Sequence, residues 1–416
     1  MSLPPPPPLS PKQEQLLELT NQLPLLLTED ELANPLVASE KLRAKNFSPN
    51  LIASALSQWS LRQRAIKKLG PIAQDWFFTN DGLEQATQTV VARHHAQRFA
   101  EAGFSQVADL GCALGTESQF LAREGLSVFA VELDPLTASW AAFNLREHSQ
   151  VQVLQGLAED FLASPPASLQ AVFADPARRL GGKRLMNPED WSPPLSTALS
   201  WAADYPAGIK VAPGIDYKFL PPTSLTEFVS VGQNVVEACI WTKDLAPIPG
   251  RVAQVFVEDQ SFTFSDPLSE GANGPVRPAP CGDLGRFILE PNGALVRSGL
   301  LAALADEFDL RLLDPQIAFL TTDILPPAGI PARERLFAAA QVFEVSTSVP
   351  LHRKQVAKAV SEAEFSSLEV YARGVELPAT TVRKWVKFVP SGQPGVLFAA
   401  RLATQRLGIL AKKVSQ

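Results

Sequence analysis

The sequence predicts an α/β protein: a doubly wound, mostly parallel sheet, preceded by a helical N-terminal domain and followed by a small basic α/β module. Three observations carry this expectation. Residues 107–135, VADLGCALGTESQFLAREGLSVFAVELDP, read as strand, glycine turn, helix, strand and acid. Short apolar runs then alternate with helical stretches through Phe264, the pattern of a parallel sheet with crossover helices. The charge is also uneven. Residues 341–416 hold 11 Lys and Arg against 5 Asp and Glu, a net +6, which leaves −12 for the rest of a chain whose total is −6.

A chain of 416 residues can form two or three domains, and 46% hydrophobic with 19% charged residues is a globular composition. No apolar run reaches the roughly 18 residues of a membrane span, so no membrane association is expected. The N-terminal MSLPPPPPLSPKQEQ lacks the basic and apolar regions of a secretory signal. Its prolines, Pro4 to Pro8, suggest an extended polyproline arm, expected to fray without a partner. The 3 cysteines, Cys112, Cys239 and Cys281, are few, odd in number and widely spaced. That pattern fits a reducing, cytoplasmic setting and neither a disulfide framework nor a zinc site. The 4 histidines show no metal-ligand spacing, and no metal is expected.

Element by element, residues 1–70 read as the helical domain with its proline-rich arm. Apolar residues there recur at helical spacing, Pro24, Pro35, Pro49 and Pro71 punctuate them, and Ser48-Pro49 forms a cap and first-turn proline. Residues 71–265 form the sheet domain. Asp75 to Gly82 is an aromatic run ending in a turn, and Thr87 is placed to cap a helix through Phe99. Strands follow at 107–110, 127–131, 150–154, 171–174, 208–212, 227–231 and 236–242. Residues 266–340 are a Pro/Gly-rich linker and an accessory strand-helix-strand segment, and residues 341–416 are the basic module.

Glycines let a backbone approach a ligand where a Cβ would clash, and an acid at a strand tip can accept from both hydroxyls of a ribose. The turn Gly111-Cys112-Ala113-Leu114-Gly115-Thr116-Glu117 therefore reads as half of a nucleotide site, with Glu132 as the ribose acid. A dinucleotide fingerprint would have glycine at Ala113 and tolerate a diphosphate, which Glu117 would repel. Asp109, inside the first strand, suits a ligand with a positive group. A dinucleotide site, or a strand and turn with no ligand, remain the alternatives on these residues alone.

With these residues the segment resembles the first motifs of class I S-adenosylmethionine-dependent methyltransferases. The resemblance implies a Rossmann-like methyltransferase sheet and S-adenosylmethionine as cofactor. In that family Asp109 lies near the methionine part and Glu132 holds the ribose. It places Gly111, Cys112, Gly115 and Asp134 in the same site, and Ala158 and Glu159 of the Gln155-Gly156-Leu157-Ala158-Glu159-Asp160 stretch near the adenine. The segment before the first strand often covers the cofactor in this family, which makes Phe78, Glu84 and Thr87 candidates for that cover. At the fourth strand end, Asp175-Pro176-Ala177-Arg178-Arg179 partly resembles the Asn/Asp-Pro-Pro-aromatic motif of amino-methyltransferases, lacking its second proline and its aromatic. Asp175 and Pro176 are thus the catalytic candidates, Asp175 accepting a target N–H. Arg178, Arg179 and Lys183 form a basic substrate loop able to stack on bases or pair with phosphates.

Carbon methylation would need a thiolate. Cys112 is in the glycine turn and Cys239 inside an apolar strand, so only Cys281, in a proline-rich loop, is expected to be exposed, and nitrogen methylation is favoured. The last 75 or so residues resemble the THUMP-like domain found at the C-terminus of some bacterial methyltransferases. This resemblance implies RNA as partner, contacted by Lys354, Arg383 and Lys384 among other cations. The alternatives are a protein or small-molecule acceptor, or an RNA-binding protein that holds the cofactor without turnover.

Overall fold

The structure, a computed structural model, describes residues 3–180, 183–403 and 405–415. The chain divides into two compact units, Met1–Lys210 with Trp241–Leu245, and Val211–Ile240 with Ala246–Gln416.

The first unit opens with helices α1 (Pro11–Leu26), α2 (Glu29–Leu32), α3 (Pro35–Ala44) and α4 (Pro49–Leu69). Ser10 and Gln13 form a capping box on α1, and Ser48 caps α4 ahead of Pro49. Pro24 does not end a helix as expected but lies inside the last turn of α1. Leu19, Leu23, Leu42, Ile52 and Ala55 close the helical core. The proline-rich segment is not frayed: Pro4 O accepts the Gln155 N–H at 2.9 Å, and Pro7 O accepts the Ser139 hydroxyl at 2.7 Å.

Helix α5 (Asn80–Gln85) is capped by Thr79, and α6 (Thr89–Glu101) follows. Gln88, not Thr87, occupies the cap position of α6, because the buried Thr87 hydroxyl is bonded elsewhere. Next come β1 (Gln106–Leu110), α7 (Thr116–Arg123), β2 (Ser127–Glu132), α8 (Pro135–Asn144), β3 (Val151–Gln155), α9 (Ala158–Ala163) and β4 (Ala171–Ala174). A short hairpin, β5 (Arg179–Leu180) with β6 (Lys183–Arg184), precedes α10 (Leu195–Trp201) and β7 (Ala207–Val211).

The strands pair in parallel in the order β7-β4-β1-β2-β3. The chain winds outward from β1 in one direction, then returns to its other side at β4. The switch point between β1 and β4 is where ligands enter such sheets. The strands are apolar because both faces are covered: Val107, Ala108, Val172, Phe173 and Ile209 are all buried.

The second unit contains β8 (Leu225–Val231), β9 (Asn234–Trp241), whose last residue belongs to the first unit, β10 (Gly250–Val257) and β11 (Gln260–Ser265). Strand β10 pairs parallel to β8 and antiparallel to β11. Then follow β12 (Phe287–Pro291), α11 (Gly293–Ser298), α12 (Leu301–Phe308), β13 (Arg311–Asp314), β14 (Ile317–Thr322) and α13 (Pro331–Ala339). The single helix expected over 295–308 is two helices, because Gly299 takes a left-handed conformation (φ 73°) between them.

The C-terminal elements are β15 (Ala340–Pro350), α14 (Arg353–Glu362), β16 (Phe365–Arg373), α15 (Ala379–Arg383), β17 (Gln393–Arg401) and β18 (Arg406–Lys413). They share one sheet with the accessory strands, in the order β13-β14-β12-β15-β18-β17-β16. The backbone therefore shows no break at residue 341. Among the described residues, no helix is long and apolar enough to cross a membrane.

Candidate active site

The turn after β1 is built from left-handed residues. Gly111 (φ 84°) and Gly115 (φ 90°) adopt it freely, and Ala113 (φ 48°) adopts it against its Cβ. Hydrogen bonds over-determine that conformation. The amides of Gly111 and Cys112 both donate to Val131 O, and the Ala113 amide donates to Glu132 Oε2 at 3.0 Å. The other carboxylate oxygen of Glu132 accepts the Asp134 amide at 2.9 Å. The acid at the β2 tip is thus oriented by two backbone donors and keeps lone pairs for further hydroxyls. Burial pushes its carboxyl up, against the pull of those amides.

Asp109 is 1% exposed. Its Oδ2 accepts the Ser118 hydroxyl at 2.6 Å, while Oδ1 is buried with no partner among the described residues. Burial pushes its carboxyl up to about 7, with Glu117 and Asp175 adding to the rise and Ser118 and Lys210 opposing it. An orphaned buried acceptor is what a ligand ammonium would complete. Three leucines at the neighbouring strand ends, Leu133, Leu136 and Leu157, are exposed. Charged acceptor, oriented ribose acid and bare apolar rim together fit S-adenosylmethionine.

Other expected cofactor residues have definite placements. Cys112 is buried, burial with the nearby Asp109 and Glu132 pushes its thiol up, and its amide and carbonyl are bonded to Val131 O and the Gly115 amide. Asp134 caps α8, its Oδ1 accepting from the Thr137 amide and hydroxyl at 2.8 and 2.7 Å. Ala158 is half-buried and Glu159 exposed in the first turn of α9. Glu117 does not face the turn as a repelling charge. It is buried, with both oxygens 3.3 Å from His95 Nδ1. Burial raises its carboxyl, but His95, Lys210 and Thr87 outweigh that and hold it below its ordinary value. Phe78 is 2% exposed within the core cluster of Leu61, Trp76 and Phe77, so it is core and not cover. Glu84 is exposed, and its carbonyl accepts from Lys68.

Across the switch point lies Asp175. Its amide donates to Leu110 O at 3.2 Å, and its carbonyl oxygen comes within 3.3 Å of where a Cβ on Gly111 would stand. Glycine at 111 is what allows the β4 end to approach the cofactor turn so closely. The Asp175 carboxylate is paired with Lys210: Nζ to Oδ2 is 2.7 Å, with 3% of the lysine and 27% of the aspartate side chain exposed. The same Nζ donates to Thr87 Oγ1 at 2.9 Å. Thr87, expected on a cofactor cover, accepts this bond through its buried hydroxyl and so helps to position Lys210. Sequence reading missed Lys210; its trace was a lone cation in the apolar run GlyIleLysValAla. A buried lysine needs a carboxylate, and Asp175 supplies it.

Pro176 is buried beside Asp175. Arg178 is half-buried, with its carbonyl accepting the Leu185 amide, and Lys183 is exposed on the β5–β6 hairpin. Arg179 opens that hairpin, and its side chain lies outside what the structure describes. In the second unit, Lys354 on α14 and Arg383 and Lys384 at the end of α15 are all exposed.

A doubly wound sheet with a left-handed glycine turn, an oriented strand-tip acid and a carboxylate across the switch point is the frame of a class I methyltransferase. Comparison with known proteins agrees. A protein described as an uncharacterized S-adenosylmethionine-dependent methyltransferase, recorded in two Mycobacterium tuberculosis strains, is 30% identical over 352 residues, which is 83% of this chain and 90% of the relative. A crystal structure from Porphyromonas gingivalis W83, described as a candidate methyltransferase, superposes with a TM-score of 0.72 at 18% identity, covering 97% of this chain and 99% of its own. A family model described as THUMP domain-like matches residues 340–413. This chain belongs to the S-adenosylmethionine-dependent methyltransferases and carries a C-terminal THUMP-like domain.

The cofactor supplies an electrophilic methyl group on a sulfonium. The protein's part is positioning, which can provide much of the rate. Glu132 and Asp109 would hold the ribose and the ammonium of the cofactor. Asp175 Oδ2 is fixed by Lys210, which leaves the second oxygen of the carboxylate able to accept a hydrogen bond or a proton.

Proposed function

We propose that this enzyme methylates RNA, a transfer or ribosomal RNA in particular, at a nitrogen of a base. The observation that carries the nitrogen assignment is Asp175: a carboxylate at the β4 end, pinned through one oxygen by Lys210 and leaving the other for an amine. Two of the three thiols are withdrawn from that role, since Cys112 and Cys239 are buried, which leaves the exposed loop residue Cys281 as the one alternative nucleophile. Such a thiol would be needed for attack on a pyrimidine carbon. For RNA, the support is the THUMP-like module with its net +6 charge and the exposed Lys354, Arg383 and Lys384. Arg178 and Lys183, beside Asp175, add cations for phosphate or base contact. The lack of a second proline and an aromatic after Asp175 assigns base stacking to another group, for which Arg178 is suited. The few, widely spaced cysteines fit a cytoplasmic setting.

The test is transfer of labelled methyl from S-adenosylmethionine to total RNA of a strain lacking the protein, followed by nucleoside analysis. Label on a base nitrogen, lost with Asp175→Ala, supports the reading. Label confined to protein or small molecules overturns the RNA assignment, and label on a base carbon overturns the role given to Asp175.

A further inference from the structure

The run Pro4 to Pro8 takes no part in the chemistry of Asp175, yet the structure fixes it at two points. Pro4 O accepts the Gln155 amide at 2.9 Å, and Pro7 O accepts the hydroxyl of the buried Ser139 at 2.7 Å. Beyond the run, Leu9 packs against the cluster that contains Leu114 of the glycine turn and Trp140 of α8. Before it, the side chain of Leu3 lies on Gly156 so closely that a Cβ there would meet Leu3 Cδ2 at 2.7 Å.

Gly156 is not a neutral place to rest. Its amide donates to Glu132 O at 3.0 Å, and the Gln155 side chain donates to Leu133 O at 3.2 Å. Leu3 therefore contacts the loop bonded directly to the ribose acid. Leu133, the acceptor of the Gln155 side-chain bond, Leu136 in the first turn of α8, and Leu157, next to Gly156 in the chain, are 52%, 51% and 43% exposed. Exposed leucines grouped at one sheet edge mark a surface that a ligand covers.

A simpler role would be to shield the edge strand β3, since prolines lack the N–H that further strands would use. The bond to β3, however, falls on its last residue, Gln155, and the remaining anchors lead away along α8. The segment covers the carboxyl end of the strand, where the cofactor belongs.

We propose that residues 3–8 are part of the cofactor site, with Leu3 contributing an apolar contact to the purine ring and the proline run holding it there. A polyproline segment is stiff and solvates its own backbone, so it can hold one side chain over a pocket at small entropic cost. The proposal rests on the assignment of Glu132 to the ribose.

The test is the affinity of the full chain for S-adenosylhomocysteine and for 5′-methylthioadenosine, which lacks the amino-acid end. Leu3→Gly weakens both ligands equally, by roughly fivefold, the loss expected for about 1 kcal/mol of apolar contact. Leu3→Met restores affinity, and replacing Pro4 to Pro8 with five Gly/Ser residues weakens it again. Thermal unfolding of each variant shows that the fold persists. Unchanged affinity in Leu3→Gly, with Glu132→Ala still impaired, overturns the proposal and leaves the segment as an edge cover. Unchanged affinity in Glu132→Ala overturns the ribose assignment itself. Weakening of S-adenosylhomocysteine alone would place Leu3 at the amino-acid end and overturn the purine contact.

Discussion

Lys210 Nζ lies 2.7 Å from Asp175 Oδ2, and only 3% of the lysine side chain meets solvent while the aspartate keeps a 27% opening. The pair is asymmetric: a buried cation holds one oxygen of a carboxylate whose remainder faces outward. Lys210→Met keeps the volume of the stem and removes the charge that fixes Asp175. The expected outcome is a fall in kcat of about 100-fold, the usual scale for losing a positioned acid–base group, with cofactor Kd within about twofold. A drop in cofactor affinity matching the drop in kcat would show that the pair only supports the fold. Stability falls by about 1–3 kcal/mol, less than for a fully buried pair because Asp175 can be hydrated.

Asp109 gives a dependence on pH with a definite sign. In the folded chain its carboxyl is pushed up to about 7, against about 3.9 for an unfolded aspartate. Between those values the folded state holds the extra proton, so the contribution of Asp109 is full below the unfolded value and is lost as pH rises through about 7. Asp109→Asn should therefore gain stability relative to the wild type as pH rises from 5 to 8, by about 3 kcal/mol, and level off beyond. Cofactor binding runs the other way, because an ammonium needs the carboxylate. Wild-type affinity should rise with pH up to about 7, and the Asn variant should bind weakly with a flat profile over that range. Calorimetric titration at several pH values measures both. A wild-type profile as flat as that of the variant would remove Asp109 from the cofactor site.

The sheet, its strand ends and the acids near three of them were legible because each is written in local sequence: apolar runs of strand length, a glycine turn, and Asp109, Glu132 and Asp175 in or just after their runs. Glu132, Gly111, Gly115 and Asp175 could be singled out for that reason. What could not be read were relations between distant segments. Lys210 and Asp175 stand 35 residues apart and meet because β7 pairs with β4. Glu117 looked like a charge facing the turn, and its partner His95 sits on another helix. Thr87 looked like a cap because it precedes a helix, and Phe78 like a cover because the segment before the first strand often covers the cofactor in the family the sequence resembles. In both, long-range bonding and packing outranked local propensity. The proline arm read as free because polyproline has no internal bonds, and nothing local records that Gln155 and Ser139 would bind it.

The close approach of Gly111 to the Asp175 carbonyl separates two glycines that look equivalent in sequence. Both take positive φ, so alanine is strained at either by about 1 kcal/mol. At Gly115 the new Cβ would stand 2.7 Å from Cδ1 and 2.9 Å from Cγ of the buried Leu145, a clash that only repacking of that side chain relieves. At Gly111 it would stand 3.3 Å from the backbone oxygen of Asp175, which cannot move without carrying the carboxylate of that residue along. Gly111→Ala should lower kcat at saturating cofactor by tenfold or more, while Gly115→Ala should act on stability with kcat within about threefold. Equal kcat in the two variants would show that the β4 end adapts to the turn.

Reversing Lys354, Arg383 and Lys384 to Glu tests the RNA reading without touching the first unit. All three are exposed, so the fold should tolerate the change within about 0.5 kcal/mol per site. If they bind phosphates, RNA affinity falls uniformly across sequences. The slope of log affinity against log salt shrinks by about 2, from roughly 0.7 for each single-strand phosphate that is no longer neutralised. Affinity for S-adenosylhomocysteine should not change, since none of the three belongs to the cofactor site. Filter binding over a salt series gives the slope. A slope equal to that of the wild type would mean that these cations form only a solvated face and that RNA, if it is the substrate, is gripped elsewhere.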